Sequence, residues 1–262
     1  MGAHVQRPDE FVQSFARGLA VIRALGAAAR PVTLSEAAVA AGLTRAGARR
    51  ILLTLVHLGY VGQNGRQFAL LPRVLELGYA YLSALGVPEL AQPVLTELAA
   101  RAGESCSMSV LDGDDIVYLA RVPTRKIVTI SLGVGTRLPA YATSMGRVLL
   151  GATAAPRLDA LLARAPFAAR TARTLTQARA LAARIRADRQ QGYSIVDEEL
   201  EIGLCSIAVP VTNSAGQTVA ALNIGASRGA YAPRDLERRF LPLLREASGA
   251  LTLVIGPRLP PV

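Results

Sequence analysis

The sequence predicts an α+β protein: three helices and a hairpin at the N-terminal end, then an antiparallel sheet with helices packed on it. Three observations lead to this prediction. Hydrophobic residues make up 51% of the 262 residues, enough to form two cores. Apolar residues recur at helical spacing in the first quarter of the chain, and turn residues separate paired strand-like runs further on. We expect an N-terminal domain at 11–72, a linker helix at 73–88 and a C-terminal domain at 89–257.

The first two helices have clear start and stop signals. Apolar residues at helical spacing predict a helix over 15–28, which Pro31 ends. A short alanine-rich helix over 34–41 follows. Thr33 and Glu36 stand before and inside it at the spacing of a capping box, in which each side chain bonds the other residue's backbone N–H.

The third helix carries arginines on its outer face. Thr44 is the expected N-cap, and the helix runs to about residue 58 with Arg49 and Arg50 opposite its apolar face. The dipeptide Asn64-Gly65 then lies between two short strand-like runs, which is a strong hairpin signal. Two helices joined by a glycine turn, with a hairpin after the second, indicate a winged helix-turn-helix.

Most of the net positive charge lies in this segment. Residues 15–73 contain eight arginines and one acidic residue, a net charge of +7, whereas the whole chain carries +10. Charge alone would also fit a solvated arginine surface, but together with the helix order it predicts binding to double-stranded operator DNA. The candidate DNA-binding residues are Arg17, Ser35, Thr44, Arg45, Ala46, Arg49, Arg50 and Arg66.

The linker helix is apolar around most of its circumference. Leu75, Tyr79 and Leu82 lie along one side of it, so we expect them to be buried. The expected cover is the same helix of a second subunit in a homodimer. Packing on its own domain is the alternative.

The second domain reads as hairpins with helices between them, which predicts an antiparallel sheet covered by helices. Strands are predicted at 105–111, 116–122, 127–132, 194–197, 207–211 and 218–226, and helices at 89–101, 144–152, 156–162, 176–191 and 233–255.

Several catalytic and metal sites are excluded by composition. The single lysine, Lys126, belongs to no phosphate-binding loop. Ser144 lies in a relaxed nucleophile-elbow pattern, but no histidine follows His57, so we interpret Ser144 as a helix N-cap that leaves backbone N–H groups for an anion. Cys106 and Cys205 lack metal-ligand spacing, and we expect no catalytic residue, metal or cofactor.

Two other function classes remain as alternatives. One is a small-molecule enzyme in the C-terminal domain, with the N-terminal part as a DNA tether; the missing histidine argues against it. The other is an RNA-binding protein, disfavoured because the arginines have no aromatic stacking run. The acidic segment 197–201 is interpreted as a solvated loop. No signal peptide or membrane span is recognised, so we expect a cytoplasmic protein.

Long stretches of the chain resemble the IclR family of bacterial transcriptional regulators. The resemblance covers about residues 15–255 and is closest to the subgroup that controls protocatechuate, p-hydroxybenzoate and β-ketoadipate breakdown. The matching segments are FARGLAVIRAL, RRILLTLVHLGYV, PRVLELGYAYLSAL, GESCSMSVLDGDDIVYLARV, GTRLPAYATSMGRVLL and GYSIVDEELEIGLCSIAVPV.

This resemblance implies a winged helix-turn-helix, a linker helix and a GAF-like effector domain, in dimers that pair into tetramers. It also implies an effector pocket whose residues, matched by position, are Ser144, Met145, Asp197, Ser206, Asn223 and Gly225. Met145 and Asn223 depart from the glyoxylate-type members, which have alanine and serine there. The effector therefore cannot be carried over from those members.

The chemistry of an acid effector suggests further candidates. A carboxylate needs a cation, for which Arg121, Arg137 and Arg147 are available, although surface salt bridges are the alternative for each. Tyr141 and Met145 are candidates for an apolar slot around a ring. The predicted function is a DNA-binding regulator controlled by protocatechuate, p-hydroxybenzoate or β-ketoadipate.

Overall fold

The computed structural model describes residues 11–28, 30–77, 86–124 and 132–262. The chain divides into two compact units, 1–81 and 82–262, and each is treated by itself. Residues 75–77 are helical, but most of the predicted linker helix, with Tyr79 and Leu82, lies outside the described residues. The same holds for most of the strand predicted at 127–132.

The first unit is a three-helix domain with a small sheet. Its elements are α1 (Gln13–Ala27), β1 (Val32–Thr33), α2 (Leu34–Ala40), α3 (Arg45–His57), β2 (Val61–Asn64) and β3 (Gln67–Leu70). The strands pair antiparallel in the order β1-β3-β2, with β2 and β3 forming the predicted hairpin. Val21, Leu52 and Phe68, one from each of α1, α3 and β3, pack in one apolar core.

The predicted caps are present at the start of α2 and α3. Thr33 and Glu36 form a complete capping box, in which the Thr33 backbone N–H donates to Glu36 Oε2 over 2.7 Å. Thr44 Oγ1 accepts from the Gly47 backbone N–H over 3.1 Å. Between the helices, Gly42 adopts φ +64°, a left-handed conformation that glycine adopts without a steric penalty. These local bonds fix the turn between α2 and α3.

The second unit is a curled antiparallel sheet with helices on it. Its helices are α4 (Val87–Ala102), α5 (Ser144–Ala152), α6 (Ala155–Leu162), α7 (Ala178–Gln191) and α8 (Pro233–Ile255). Its strands are β4 (Ser105–Asp112), β5 (Asp115–Val122), β6 (Arg137–Pro139), β7 (Ser194–Asp197), β8 (Leu204–Thr212) and β9 (Thr218–Ser227). Among the described residues the strand order is β6-β5-β4-β9-β8-β7.

The two faces of this sheet carry different helices. Leu95 of α4 and Phe240 of α8 pack with Ile224 of β9 in one core. Met145 of α5 and Ile185 of α7 belong to a second core that also includes β8 and β9 residues. Within the described ranges, no helix is long and apolar enough to cross a membrane.

For the second unit, one expectation was wrong in detail and one strand was not predicted. The N-cap of α5 is Thr143, whose Oγ1 accepts from the Gly146 backbone N–H over 3.1 Å, so Ser144 is the first helical residue and not the cap. The short strand β6 was not predicted, because it has only three residues and ends in proline, so it has almost no alternation to detect.

Candidate functional site

The first unit presents a row of unpaired arginines. All eight candidate DNA-binding residues are solvent-exposed, whereas Ala48, Leu52 and Leu55 on the opposite face of α3 are buried. The amphipathic pattern of α3 therefore turns Arg49 and Arg50 outward because its leucines must enter the core.

In the described part of the chain, these arginines differ from some other arginines of the same unit in having no ion pair. Arg30 is bound to Glu36, and Arg73 to Glu76. By contrast, among the described residues no carboxylate pairs with the side chains of Arg17, Arg45, Arg49, Arg50 and Arg66. Five uncompensated guanidinium groups and an exposed wing suit a polyanion such as the phosphate backbone of DNA.

The second unit contains a cavity of about 240 Å³ on the sheet face that carries α5. Strands β4, β5, β8 and β9 line it, together with the start of α5 and residues 200–204. An apolar cavity of about 150 Å³ can hold benzene, so this volume accommodates a single-ring acid.

Polar side chains from three successive strands lie in one row across this face. Arg121 of β5 and Asn223 of β9 are both paired in register with Ser107 of the strand between them. Arg121 Nη1 donates to Ser107 Oγ over 2.9 Å, which directs the guanidinium towards β4. In the next row, Ser206 Oγ lies 2.9 Å from Ser144 Oγ, joining β8 to α5.

Three buried polar atoms of the described lining have no hydrogen-bond partner: Arg121 Nε, Asn223 Oδ1 and Glu201 Oε2. A buried polar atom left unpaired is costly, because it has lost its water without gaining another partner. One donor and two acceptors in a single cavity indicate a ligand that supplies the complementary groups.

The aromatic residue of the lining is Tyr118, which is 4% exposed. Burial raises the pKa of its hydroxyl to about 12, against a smaller opposing effect of Arg121. The tyrosine is therefore a neutral, mostly apolar surface at physiological pH. Burial likewise raises the pKa of the Cys106 thiol to about 12, which leaves it an unreactive core residue.

Six of the nine predicted effector residues line the cavity, and three do not. Arg121, Ser144, Met145, Ser206, Asn223 and Gly225 are in the lining. Arg137 pairs with Asp112 and Asp115 near the turn of the β4–β5 hairpin. Tyr141 stacks on Phe167 at 4.8 Å between ring centroids instead of facing the cavity.

Asp197 was placed in the pocket by position, but its carboxylate is otherwise engaged. Its two oxygens each lie 2.7 Å from an arginine nitrogen, one of Arg173 and one of Arg228. The third cation considered, Arg147, is fully buried and pairs with Glu199. Of the three arginines considered for a carboxylate, Arg121 is the one in the lining.

Two lining residues, Tyr118 and Glu201, were not among the candidates predicted from the sequence. Strict alternation along β5 would put Tyr118 and Arg121, three positions apart, on opposite faces of the sheet. The structure has a β-bulge there: Met108 pairs with Ala120 and Ser109 with Tyr118, so the register skips a residue. Glu201 was not proposed because the acidic segment 197–201 was interpreted as a solvated loop, with Asp197 as its one effector candidate.

Comparison with known proteins matches both units. The model of the IclR helix-turn-helix domain matches residues 14–65, and that of the bacterial transcriptional regulator IclR C-terminal domain matches residues 79–253. The Pca regulon regulatory protein of Pseudomonas putida is 46% identical over 92% of this chain and 83% of its own length.

Two solved structures are also similar. A transcriptional regulator from Rhodococcus sp. RHA1 has a TM-score of 0.82 and 49% identity, covering 94% of this chain and 99% of that one. A double mutant of the PobR inducer-binding domain from Acinetobacter, in complex with 3-hydroxybenzoic acid, has a TM-score of 0.59 and 34% identity. It covers 63% of this chain and 97% of that chain.

Proposed function

The chain belongs to the IclR family of bacterial transcriptional regulators, and we propose that a small aromatic or keto acid bound in the cavity of its second unit controls its binding to operator DNA. The chain is a DNA-binding regulator, as its named relatives are, and not an enzyme. The candidate acids are protocatechuate, p-hydroxybenzoate and β-ketoadipate.

The DNA side of the proposal rests on α3 and the hairpin. In a winged helix-turn-helix the second helix enters the major groove, and its first turns reach base edges or phosphates. Arg45, Ala46, Arg49 and Arg50 occupy those turns, and Arg66 lies on the wing. We propose that the DNA phosphate backbone beside them is contacted by Ser35, Thr44 and Arg17.

The effector side rests on one observation: Arg121 is the cavity arginine with an unpaired buried Nε. A carboxylate bound there gains a charge-assisted hydrogen bond and the attraction of the guanidinium charge. Met145 and Tyr118 offer apolar surface for a ring, because a thioether adapts its shape and the tyrosine is neutral. Ser144, Ser206 and Gly225 complete the proposed site.

The relatives support this class of ligand. One carries the name of a Pca regulon, another is the p-hydroxybenzoate hydroxylase transcriptional activator of Acinetobacter baylyi, and the PobR domain holds a hydroxybenzoic acid. We infer that the chain controls genes of aromatic-acid catabolism in the bacterial cytoplasm. We also propose that it works as a homodimer or a dimer of dimers, which would present two recognition helices to two half-sites.

Isothermal titration calorimetry with the three acids tests the effector proposal. At least one acid is expected to bind the full chain, and Arg121→Met is expected to weaken that binding about tenfold or more, the loss of one charge-assisted hydrogen bond. Arg186→Met, an exposed arginine of α7, is the matched control. No binding of any acid, or equal binding by Arg121→Met, would refute the proposal.

A further inference from the structure

We propose that Glu201 and Asn223 are specificity-determining residues that select acids carrying a hydroxyl donor as well as one carboxylate, and that disfavour acids with a second carboxylate. This inference rests on the proposed function, because it concerns the same cavity. Neither the family match nor the relatives' names assign a role to Glu201.

The unpaired atoms of the cavity are of two kinds, acceptors and a donor. Glu201 Oε2 and Asn223 Oδ1 are buried in the lining without a partner, and both atoms can only accept hydrogen bonds. Arg121 Nε in the same cavity can only donate. A ligand that satisfies these atoms needs an acceptor at one end and an O–H donor at the other, where a single O–H bonds one of the two oxygens or is shared between them. A hydroxy acid has an acceptor and such a donor, and protocatechuate has two donors, whereas a keto dicarboxylate has acceptors at every polar position at neutral pH.

The charges in the cavity also favour a ligand with a single carboxylate. Within the described lining, Glu201 has a buried carboxylate oxygen without a hydrogen-bond partner, and the guanidinium of Arg121 lies in the same cavity. Tyr118 adds no charge, since burial raises its pKa to about 12. A first carboxylate has Arg121 as its partner, but a second carboxylate near Glu201 would be repelled in a site partly shielded from water.

The spacing of Arg121 and Asn223 across the sheet suits a ligand of one ring. Arg121 and Asn223 stand one strand on either side of Ser107, and the guanidinium bonds to Ser107. Adjacent strands are about 4.8 Å apart, so the guanidinium and the Asn223 amide are separated by roughly one to two strand spacings. A ligand of one ring can therefore meet a donor at one end and an acceptor at the other.

The position of Glu201 is held by its own segment. Glu199 pairs with buried Arg147 and accepts a hydrogen bond from the Leu175 backbone N–H, while Thr174 Oγ1 donates to the Glu199 carbonyl. The Glu201 carbonyl accepts from the Leu204 backbone N–H over 3.2 Å. The carboxylate of Glu201 is thus carried on an anchored segment, as a residue that discriminates between ligands requires.

Calorimetry with matched probes tests this inference. The probes are p-hydroxybenzoate, benzoate without the hydroxyl, terephthalate with a carboxylate in its place, and β-ketoadipate. The wild-type chain is expected to bind p-hydroxybenzoate about tenfold more tightly than each of the other three, the value of one hydrogen bond to a charged acceptor. Glu201→Gln should weaken p-hydroxybenzoate binding about fivefold or more and strengthen terephthalate binding, because the repulsion is removed.

Two further variants complete the design. Asn223→Leu should also reduce the ratio of p-hydroxybenzoate affinity to benzoate affinity. Glu97→Gln, an exposed residue of α4, should change neither affinity. Thermal unfolding of each variant verifies that it folds.

The outcomes separate this inference from the proposed function. If the acids bind but p-hydroxybenzoate and benzoate bind equally, or if Glu201→Gln leaves the ratio of p-hydroxybenzoate to terephthalate affinity unchanged, the role of Glu201 and Asn223 is overturned while an acid-binding site stands. If β-ketoadipate binds most tightly, the selection of hydroxy acids is overturned as well. If no probe binds the wild-type chain, the effector proposal itself is overturned together with this inference.

Discussion

Burial and pairing give two arginines of the second unit different roles. Arg147 is 1% exposed; its Nε donates to the Tyr141 carbonyl over 3.2 Å, and its terminal nitrogen pairs with Glu199. Arg121 has one bond to Ser107 and keeps a buried N–H group for a ligand. Arg147 is therefore a structural residue that holds the acidic segment 197–201 against α5, and Arg121 is the residue suited to binding.

Removing one partner of the Arg147–Glu199 pair should be strongly destabilising. Glu199 is a buried residue, 8% exposed, and Arg147→Met leaves its carboxylate without a cation. Breaking a buried pair in this way costs about 3–5 kcal/mol. Urea unfolding measures the loss. The double variant Arg147→Met, Glu199→Gln should be more stable than Arg147→Met alone. A single variant as stable as the wild type would contradict the structural role of this pair.

The capping box of α2 should titrate at unusually low pH. The Arg30 side chain, followed by the backbone and side-chain bonds of Thr33, lowers the pKa of Glu36 from 4.5 to about 2. A carboxyl with a lowered folded-state pKa stabilises the fold above its unfolded pKa, and this contribution is lost as pH falls from 4.5 towards 2. NMR titration of the Glu36 carboxyl should give a midpoint near 2. Thr33→Ala should raise it, and an ordinary midpoint in the wild type would refute the box in solution.

Arg49 and Arg50 should account for much of the DNA affinity. Replacing either by alanine is expected to cost about 1–3 kcal/mol if it reads a base, and to lower the salt dependence of binding if it contacts a phosphate. Gel shifts at fixed salt, on a DNA duplex that the protein has enriched from a random pool, measure the DNA affinity of each variant. Arg186→Ala of the second unit is the control. Unchanged binding by the Arg49→Ala, Arg50→Ala double variant would remove α3 as the recognition helix.

At the scale of elements, α5 and β9 each contain a glycine near the cavity. Gly146 of α5 is closely packed against backbone, and Gly225 of β9 faces open space. A Cβ at Gly146 of α5 would lie 2.1 Å from the Ala140 carbonyl oxygen, so the helix can approach the preceding turn only because this position is glycine. A Cβ at Gly225 of β9 would have no atom within 4 Å, because this position borders the open cavity.

Substitutions at these glycines should separate binding from folding. Gly225→Leu should fill part of the cavity and abolish acid binding, while the unfolding midpoint stays close to that of the wild type. Gly146→Ala should lower stability by about 1–3 kcal/mol or more, because backbone atoms must move to admit the methyl group. Calorimetry and urea unfolding measure both effects. Retained acid binding by Gly225→Leu would place the site elsewhere.

Elements with local signals could be predicted from the sequence. The capping box at Thr33, the cap at Thr44 and the Asn64-Gly65 hairpin all depend on residues close together in the chain, and each is present. Strand β6 and the bulge opposite Met108 could not be predicted, because both depend on the register of pairing with another strand.

The site residues were harder to predict for the same reason. Three arginines looked equally suitable for a carboxylate, and tertiary partners alone separate them: Asp112 and Asp115 engage Arg137, Glu199 engages Arg147, and Arg121 keeps a free Nε. Asp197 was likewise predicted in the pocket and Glu201 was not, whereas the structure places Glu201 in the lining. The sequence does not show that Arg173 and Arg228 pair with the Asp197 carboxylate.

At the scale of the whole molecule, DNA binding and the proposed acid binding belong to different units of the chain. The first unit, 1–81, holds half of the net charge of +10 and the unpaired arginines, and the second, 82–262, holds the cavity. Regulation requires that an acid in the cavity and DNA on α3 influence each other's affinity, and by thermodynamic linkage this influence is reciprocal.

The most direct test of the account is the DNA affinity of the full chain with and without the acid. Fluorescence anisotropy is measured on a labelled duplex that the protein itself has enriched from a random pool, at fixed salt and at an acid concentration that saturates the cavity. The account predicts that p-hydroxybenzoate changes the dissociation constant for DNA about fivefold or more, as is typical of allosteric coupling, and that Arg121→Met and Gly225→Leu bind DNA without this response. A DNA affinity that none of the three candidate acids changes would contradict it.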